Sequence, residues 1–137
     1  MATFPLELVT PERKLFSEEV QMVRVPGVEG SLGILAGHAP LLTELTTGLI
    51  KLTLADGQTA YIATSGGFMQ VSREKVIILA DSAELSEEID VDRAREAAEK
   101  ARQMLAVEGI NAEEVRQQLE RAENRIKVAQ QARHQQF

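Results

Sequence analysis

Glycine and proline are abundant in the first part of this chain and nearly absent from the rest. All four prolines fall within the first 40 residues and eight of the nine glycines before residue 68; after Leu85 only Gly109 remains. Proline removes a backbone donor and fixes φ, and glycine favours turns over long helices, so a backbone broken this often suits short strands and tight connections. The remainder is rich in Ala, Glu, Arg and Gln, the residues that helices tolerate best. A boundary is therefore expected near residue 85, between a strand-rich part (1–84) and a helical part (85–137). Charge does not draw this boundary. The first part has 10 acids and 6 bases and the second 11 acids and 9 bases, so both are mildly acidic.

In the first part, apolar residues alternate. Phe4, Leu6 and Leu8 share a face in F-P-L-E-L-V, and V-Q-M-V-R-V alternates again around Val23 and Val25. Two β-rich runs flank Asp56-Gly57, a pair suited to a two-residue type I′ turn. A second hairpin is expected to turn between Ser72 and Lys75. Eight to ten short strands with no intervening helix predict an N-terminal β-sandwich or flattened barrel.

In the second part the period changes. Val91, Ala94, Ala98, Ala101 and Leu105 recur at helical spacing, and so do Ala112, Val115, Leu119, Ala122, Ile126 and Ala129. The segment V-E-G-I-N between them offers Gly109 as a C-cap and Asn111 as the next N-cap. The pattern predicts a C-terminal antiparallel two-helix hairpin. Its first stripe is mostly alanine, which permits close approach but buries little area. Such a hairpin is marginal alone and needs another surface.

Composition excludes several functions. The net charge of −6 argues against a nucleic-acid binder, which needs a broad basic face. Without cysteine there is no disulfide or thiolate metal site, and two histidines, His38 and His134, leave little for any other metal. No secretory leader and no apolar run long enough to cross a bilayer is expected. G-V-E-G-S-L-G is not a dinucleotide fingerprint, and no P-loop is present. A triad of Ser65, His38 and Asp81 is set aside, because T-S-G-G is not the strained nucleophile elbow such a serine needs.

One charged cluster does carry chemistry. Asp90 stands where the first helix begins, and Arg93 follows one turn later. Arg121 and Arg125 are four apart, on one face of the second helix. With a turn near residue 109, Arg93 and Arg125 lie at the same level. Three guanidiniums then approach one another, with Glu84 and Asp90 at their edge. Spacing alone favours interhelical salt bridges and leaves a polyphosphate site as the second reading, since guanidinium binds phosphate bidentately.

At these residues the sequence resembles the epsilon subunits of bacterial F-type ATP synthases. G-I-L-A-G-H-A-P-L-L-T-E-L (33–45), Y-I-A-T-S-G-G-F-M-Q-V (61–71) and I-D-V-D-R-A (89–94) carry the resemblance, which covers nearly the whole chain. It implies a non-catalytic central-stalk subunit with a β-sandwich and a two-helix domain. Such a subunit binds the gamma subunit and the rotor ring, and meets the membrane only through the complex, on the cytoplasmic face. It also implies a hairpin that either folds down or extends to the catalytic alpha and beta subunits and blocks ATP hydrolysis. In several members the folded hairpin binds ATP through [IL]-D-x-x-R-A. Carried over, that site comprises Glu84, Asp90, Arg93, Ala94, Arg121 and Arg125, with magnesium involvement open. Many relatives have an acid where this chain has Ser31, with Glu29 nearby; Ser31 and His38 are the expected partner contacts. The competing reading is a free-standing nucleotide sensor or chaperone-like module.

Overall fold

The computed structural model describes residues 2–107, 109 and 111–134. Two compact units divide it, Met1–Leu85 and Ser86–Phe137.

The first unit contains β1 (Phe4–Val9), β2 (Lys14–Gly27), β3 (Gly30–Leu35), β4 (Leu41–Leu54), β5 (Thr59–Val71), β6 (Val76–Ala80) and β7 (Ala83–Leu85). Among the described residues there are seven strands, roughly the eight to ten expected, with β2 and β4 each running unbroken for 14 residues. Pairing runs β1-β6-β5-β4-β2, and β1 also pairs with β2, so the ring of hydrogen bonds closes. Closure removes most free edges. The strands β3 and β7 are added outside the ring, on β2 and β5.

Long-range geometry makes this possible at two places. The start of β2 (Lys14–Val20) pairs with β1, and its second half pairs with β3 and β4. Register shifts between Val20 and Met22 and between Arg24 and Gly27 let one strand serve both neighbourhoods. Strand β1 lies parallel to β6 and antiparallel to β2. Alternation then directs one side of each strand inward: Leu6, Val23, Ile50, Leu52, Ile62 and Ile78 are each at most 1% exposed. Aliphatic residues dominate this core, as the scarcity of aromatics requires.

The turns follow local chemistry. Between Ser72 and Lys75 the Ser72 N–H donates to the Lys75 carbonyl at 2.9 Å, and the Ser72 hydroxyl donates to the same oxygen at 3.0 Å. The β4–β5 turn differs from the type I′ expectation. Asp56 does not take positive φ; Gly57 does, at +90°. The Gly57 N–H donates to the Leu54 carbonyl and the Leu54 N–H to the Gln58 carbonyl, which makes a three-residue loop. The Asp56 carboxylate holds it by accepting the Gln58 N–H at 2.9 Å.

The second unit begins with a 3₁₀ turn (Ser86–Glu88), then α1 (Val91–Leu105) and α2 (Ala112–His134). Asp90 caps α1: its side chain accepts the Arg93 N–H. Asn111 caps α2 by accepting the Glu114 N–H at 3.3 Å. The C-cap of α1 is Ala106, in right-handed helical conformation, not Gly109. Gly109 takes its positive φ of +82° inside the connection instead. Glu108 and Ile110 of the same connection lie outside the described residues. On α1 the buried residues are Ala94, Ala98 and Ala101. On α2 the expected Val115, Ala122 and Ala129 are buried, joined by Val128 and Ala132, which the stripe omitted.

Candidate functional site

The start of α1 is built by its own sequence. Ile89 is buried, and Asp90 is extended (φ −83°, ψ 98°), the conformation of an N-cap. From there Asp90 Oδ1 accepts the Arg93 N–H at 3.1 Å, and its carbonyl accepts the Ala94 N–H at 3.0 Å. Ala94 is fully buried in the seam. Asp90, Arg93 and Ala94 thus form one rigid corner. The backbone of Arg93 is fixed there while its side chain is exposed.

Arg121 and Arg125 stand one turn apart on α2. Arg121 is exposed and Arg125 half-buried. Spacing alone favoured interhelical salt bridges for these arginines. Among the described residues, neither the Arg93 nor the Arg121 guanidinium has an ion-pair partner. One interhelical pair among the described residues uses Arg102: Nη2 lies 3.9 Å from Glu123 Oε1, and Nη1 lies 3.4 Å from Glu99 Oε2 one turn away on α1. Sequence reasoning missed this pair, because Arg102 and Glu123 belong to no motif.

The Arg102–Glu123 pair also indicates the relative level of the helices. Nine residues back along α1 from Arg102 is Arg93; nine residues on along α2 from Glu123 is Ala132. A cleft of about 220 Å³ within this unit agrees, bringing Val91 beside Ala129 and Ala132, with Ser86, Glu87, Ile89 and Arg133 on its other sides. Arg125 therefore lies about 5–10 Å short of the level of Arg93 at 1.5 Å rise per residue. The expectation of equal level assumed a turn at residue 109. The Arg102–Glu123 pair and the cleft between Val91 and Ala132 instead put the pivot slightly beyond it. Side chains also lean toward the N-terminus of their own helix. In an antiparallel pair, Arg93 leans toward Asp90, whereas Arg121 and Arg125 lean toward the connection. With these levels, the backbones of Arg93 and Arg125 are staggered along the hairpin axis.

Glu84 belongs to the other unit. It is half-buried in β7, opposite Ala63 on β5. Ser31 is exposed at the start of β3 and accepts from Arg24 Nη1 at 3.5 Å. His38 is half-buried in the β3–β4 loop, with its Nδ1 2.6 Å from the Ala39 carbonyl. A carbonyl only accepts, so Nδ1 is the donor in this contact. Among the described residues no group of three His, Cys, Asp or Glu is placed to hold a metal ion. None of the described helices is long and apolar enough to cross a membrane.

Residues 3–86 match the family model of the ATP synthase delta/epsilon chain beta-sandwich domain, and residues 87–130 that of its long alpha-helix domain. The chain belongs to the ATP synthase delta/epsilon family. It is similar to the ATP synthase epsilon chain of Carboxydothermus hydrogenoformans, 54% identical over 101 residues (74% of this chain, 75% of the relative). It is also similar to that of Dehalococcoides mccartyi, 45% identical over 136 residues (97% and 96%). A solved structure with the same fold is a chain in the Euglena gracilis mitochondrial ATP synthase, OSCP/F1/c-ring in rotational state 1. Its TM-score is 0.72 at 24% identity, covering all of this chain and 83% of that one.

Within this delta/epsilon chain, the I-D-V-D-R-A run now divides by role. Ile89 is buried at the head of the helix, Asp90 caps it and Ala94 closes the seam. The Arg93 side chain takes no part in building that corner and is exposed.

Proposed function

We propose that this delta/epsilon chain is the non-catalytic epsilon subunit in the central stalk of a bacterial, proton-translocating F-type ATP synthase. The observation that carries the reading is the match to both family domains, in order, over residues 3–86 and 87–130. The β unit binds the gamma subunit and the rotor ring, with Ser31 and His38 among its contacts. The complex sits at the cytoplasmic face of the membrane, which this subunit meets only through its partners.

The hairpin is the regulatory element. Folded, it binds ATP; extended, it reaches the alpha and beta subunits and blocks hydrolysis. Two features support this. Three alanine methyls on α1 contribute only about 2–3 kcal/mol of burial at roughly 0.8 kcal/mol per group, so a second packing of the same helices lies close in energy. The guanidiniums of Arg93 and Arg121 are exposed and have no ion-pair partner among the described residues, which leaves each of them available to an anion. Asp90 serves the ribose or base end, Ala94 keeps the corner tight, and Arg125 is a further guanidinium on α2. A nucleotide that prefers the folded state shifts the equilibrium by its differential affinity, typically about 1–3 kcal/mol.

Calorimetric titration of the isolated chain with ATP, with and without magnesium, tests the ligand. Saturable heat is expected, abolished in Arg93→Ala and Arg121→Ala and absent with inorganic phosphate. No heat from the unmodified chain removes ATP from the proposal. Co-purification with gamma and the catalytic head tests the stalk role separately.

A further inference from the structure

Asp56-Gly57 is the one place in the sequence where an aspartate or asparagine precedes a glycine. The pair carries a chemical liability. The Gly57 main-chain nitrogen can attack the Asp56 side-chain carboxyl and close a five-membered succinimide, and glycine has no side chain to shield that nitrogen. The N–Cγ bond forms, and the carboxyl hydroxyl leaves with the amide proton as water. Water then reopens the ring. When it cleaves the bond from the Asp56 main-chain carbonyl carbon to the Gly57 nitrogen, the chain runs on through the side chain as isoaspartate. The product is one methylene longer in the main chain and carries a free α-carboxylate. Water is the only co-reactant.

The fold asks for this labile residue. Gly57 lies at φ +90°, in the left-handed region, although a Cβ built there would meet nothing within 4 Å. Backbone conformation, not crowding, therefore favours glycine in the β4–β5 loop. Residues 55–58 are all exposed, so water reaches the reacting atoms.

The same loop keeps the two reactants engaged elsewhere. The Gly57 N–H is donated to the Leu54 carbonyl at 2.9 Å, and Asp56 Oδ1 accepts the Gln58 N–H at 2.9 Å. Attack requires the nitrogen to give up its proton and the carboxyl to turn from Gln58 toward Gly57, so both bonds must break first. Two further bonds hold the loop. The Leu54 N–H donates to the Gln58 carbonyl at 2.8 Å, and Gln21 Nε2, reaching across from β2, donates to the Ala55 carbonyl at 3.0 Å. Gln21 stands 34 positions before Ala55, so this last bond exists only in the folded chain.

We propose that Asp56-Gly57 is a guarded modification site: isoaspartate forms there when the loop opens and is suppressed while these four hydrogen bonds hold, with Gln21 supplying the tertiary part of the guard. The rate then follows the fraction of time the loop is open. Once formed, the extra methylene does not fit a three-residue loop closed by the Leu54 and Gln58 bonds, and the adjoining Thr53–Thr59 pair loses its register. The free α-carboxylate is the group that a carboxyl-methylating repair enzyme recognises.

The test incubates the full chain at neutral pH, folded and in urea, and measures isoaspartate in the peptide that contains residue 56 by enzymatic methyl transfer to its α-carboxylate. The unfolded chain is expected to accumulate the product at least about tenfold faster, since its loop is always open. Gln21→Ala is expected to raise the folded rate several-fold and to leave the rate in urea unchanged, because Gln21 is distant in sequence. Asp56→Glu abolishes the product, since its ring would be six-membered and closes far more slowly. Should Gln21→Ala unfold, the wild type gives an independent reading: the Gly57 amide is protected from exchange, and its protection falls as isomerisation rises when urea is added below the unfolding transition. Equal rates in the folded and unfolded chain overturn the proposal, as does an unprotected Gly57 amide. A folded Gln21→Ala variant that isomerises at the wild-type rate overturns it too. Product persisting in Asp56→Glu assigns the chemistry to another residue, and no isoaspartate even in urea shows that the pair is not labile; either result also overturns the proposal.

Discussion

The β unit and the hairpin are held by different kinds of side chain. Inside the closed ring of strands, Leu6, Leu8, Ile50, Leu52, Ile62 and Ile78 are each at most 1% exposed. Each contributes about 1.5–3 kcal/mol of burial as an upper figure. On α1 the buried side chains are three alanines. The ring is also closed by long-range pairing, whereas an isolated helix of 15 residues is marginal in water. The comparison teaches that stability is concentrated in the unit that must keep one shape, and is sparse in the unit proposed to take two.

Substitutions in the two regions should therefore differ sharply. Gly67→Val attacks the tightest point of the ring, where positive φ and the Leu79 carbonyl both forbid a side chain; a loss of about 3–5 kcal/mol is expected, read as a collapse of the urea midpoint. Leu52→Ala leaves a cavity in the fully buried core and costs about 2–5 kcal/mol. It lowers the melting temperature of the β unit, and helicity at 222 nm follows only if the two units unfold together. That second readout breaks the comparison if the hairpin proves as cooperative as the ring.

Ala98→Leu sharpens it from the other side. The seam has no room for a leucine, so about 1–3 kcal/mol is lost, and the loss appears in helix content and amide exchange of 91–134 and not in the β unit. Asp90→Ala removes the cap of α1 and costs about 1 kcal/mol; Asp90→Asn restores the cap, so ATP binding lost in both variants separates the carboxylate's ligand role from its structural one. Arg102→Ala is the smallest change. Both members of the Arg102–Glu123 pair are well exposed and 3.9 Å apart, so no more than about 0.5 kcal/mol is expected, vanishing in high salt.

Much of this was legible in the order of residues because its causes are local. The shift in glycine and proline use marked the division. The alternation of Phe4, Leu6 and Leu8 named an inward face, and the spacing of Ala94, Ala98 and Ala101 named the seam. The caps Asp90 and Asn111 were legible because a cap is a bond across three residues. Even local reading failed where two turn types compete. Asp56-Gly57 fits a type I′ loop, but the strands close with one more residue and place only Gly57 at positive φ. Val128 and Ala132 escaped because a single stripe does not describe a helix buried over a wider arc.

What the order of residues determined alone is the set of elements, their caps and which face of each is apolar, since period and capping depend on neighbours within a turn or two. The fold itself decided the rest: that β1 lies parallel to β6 and closes the ring, that β2 serves both sides, that Arg93 falls out of level with Arg125, and that Phe68 meets Leu79 in the open. Each of these depends on which distant segments share a hydrogen bond or a contact. That choice is made by the packing of the whole unit, and no local period records it.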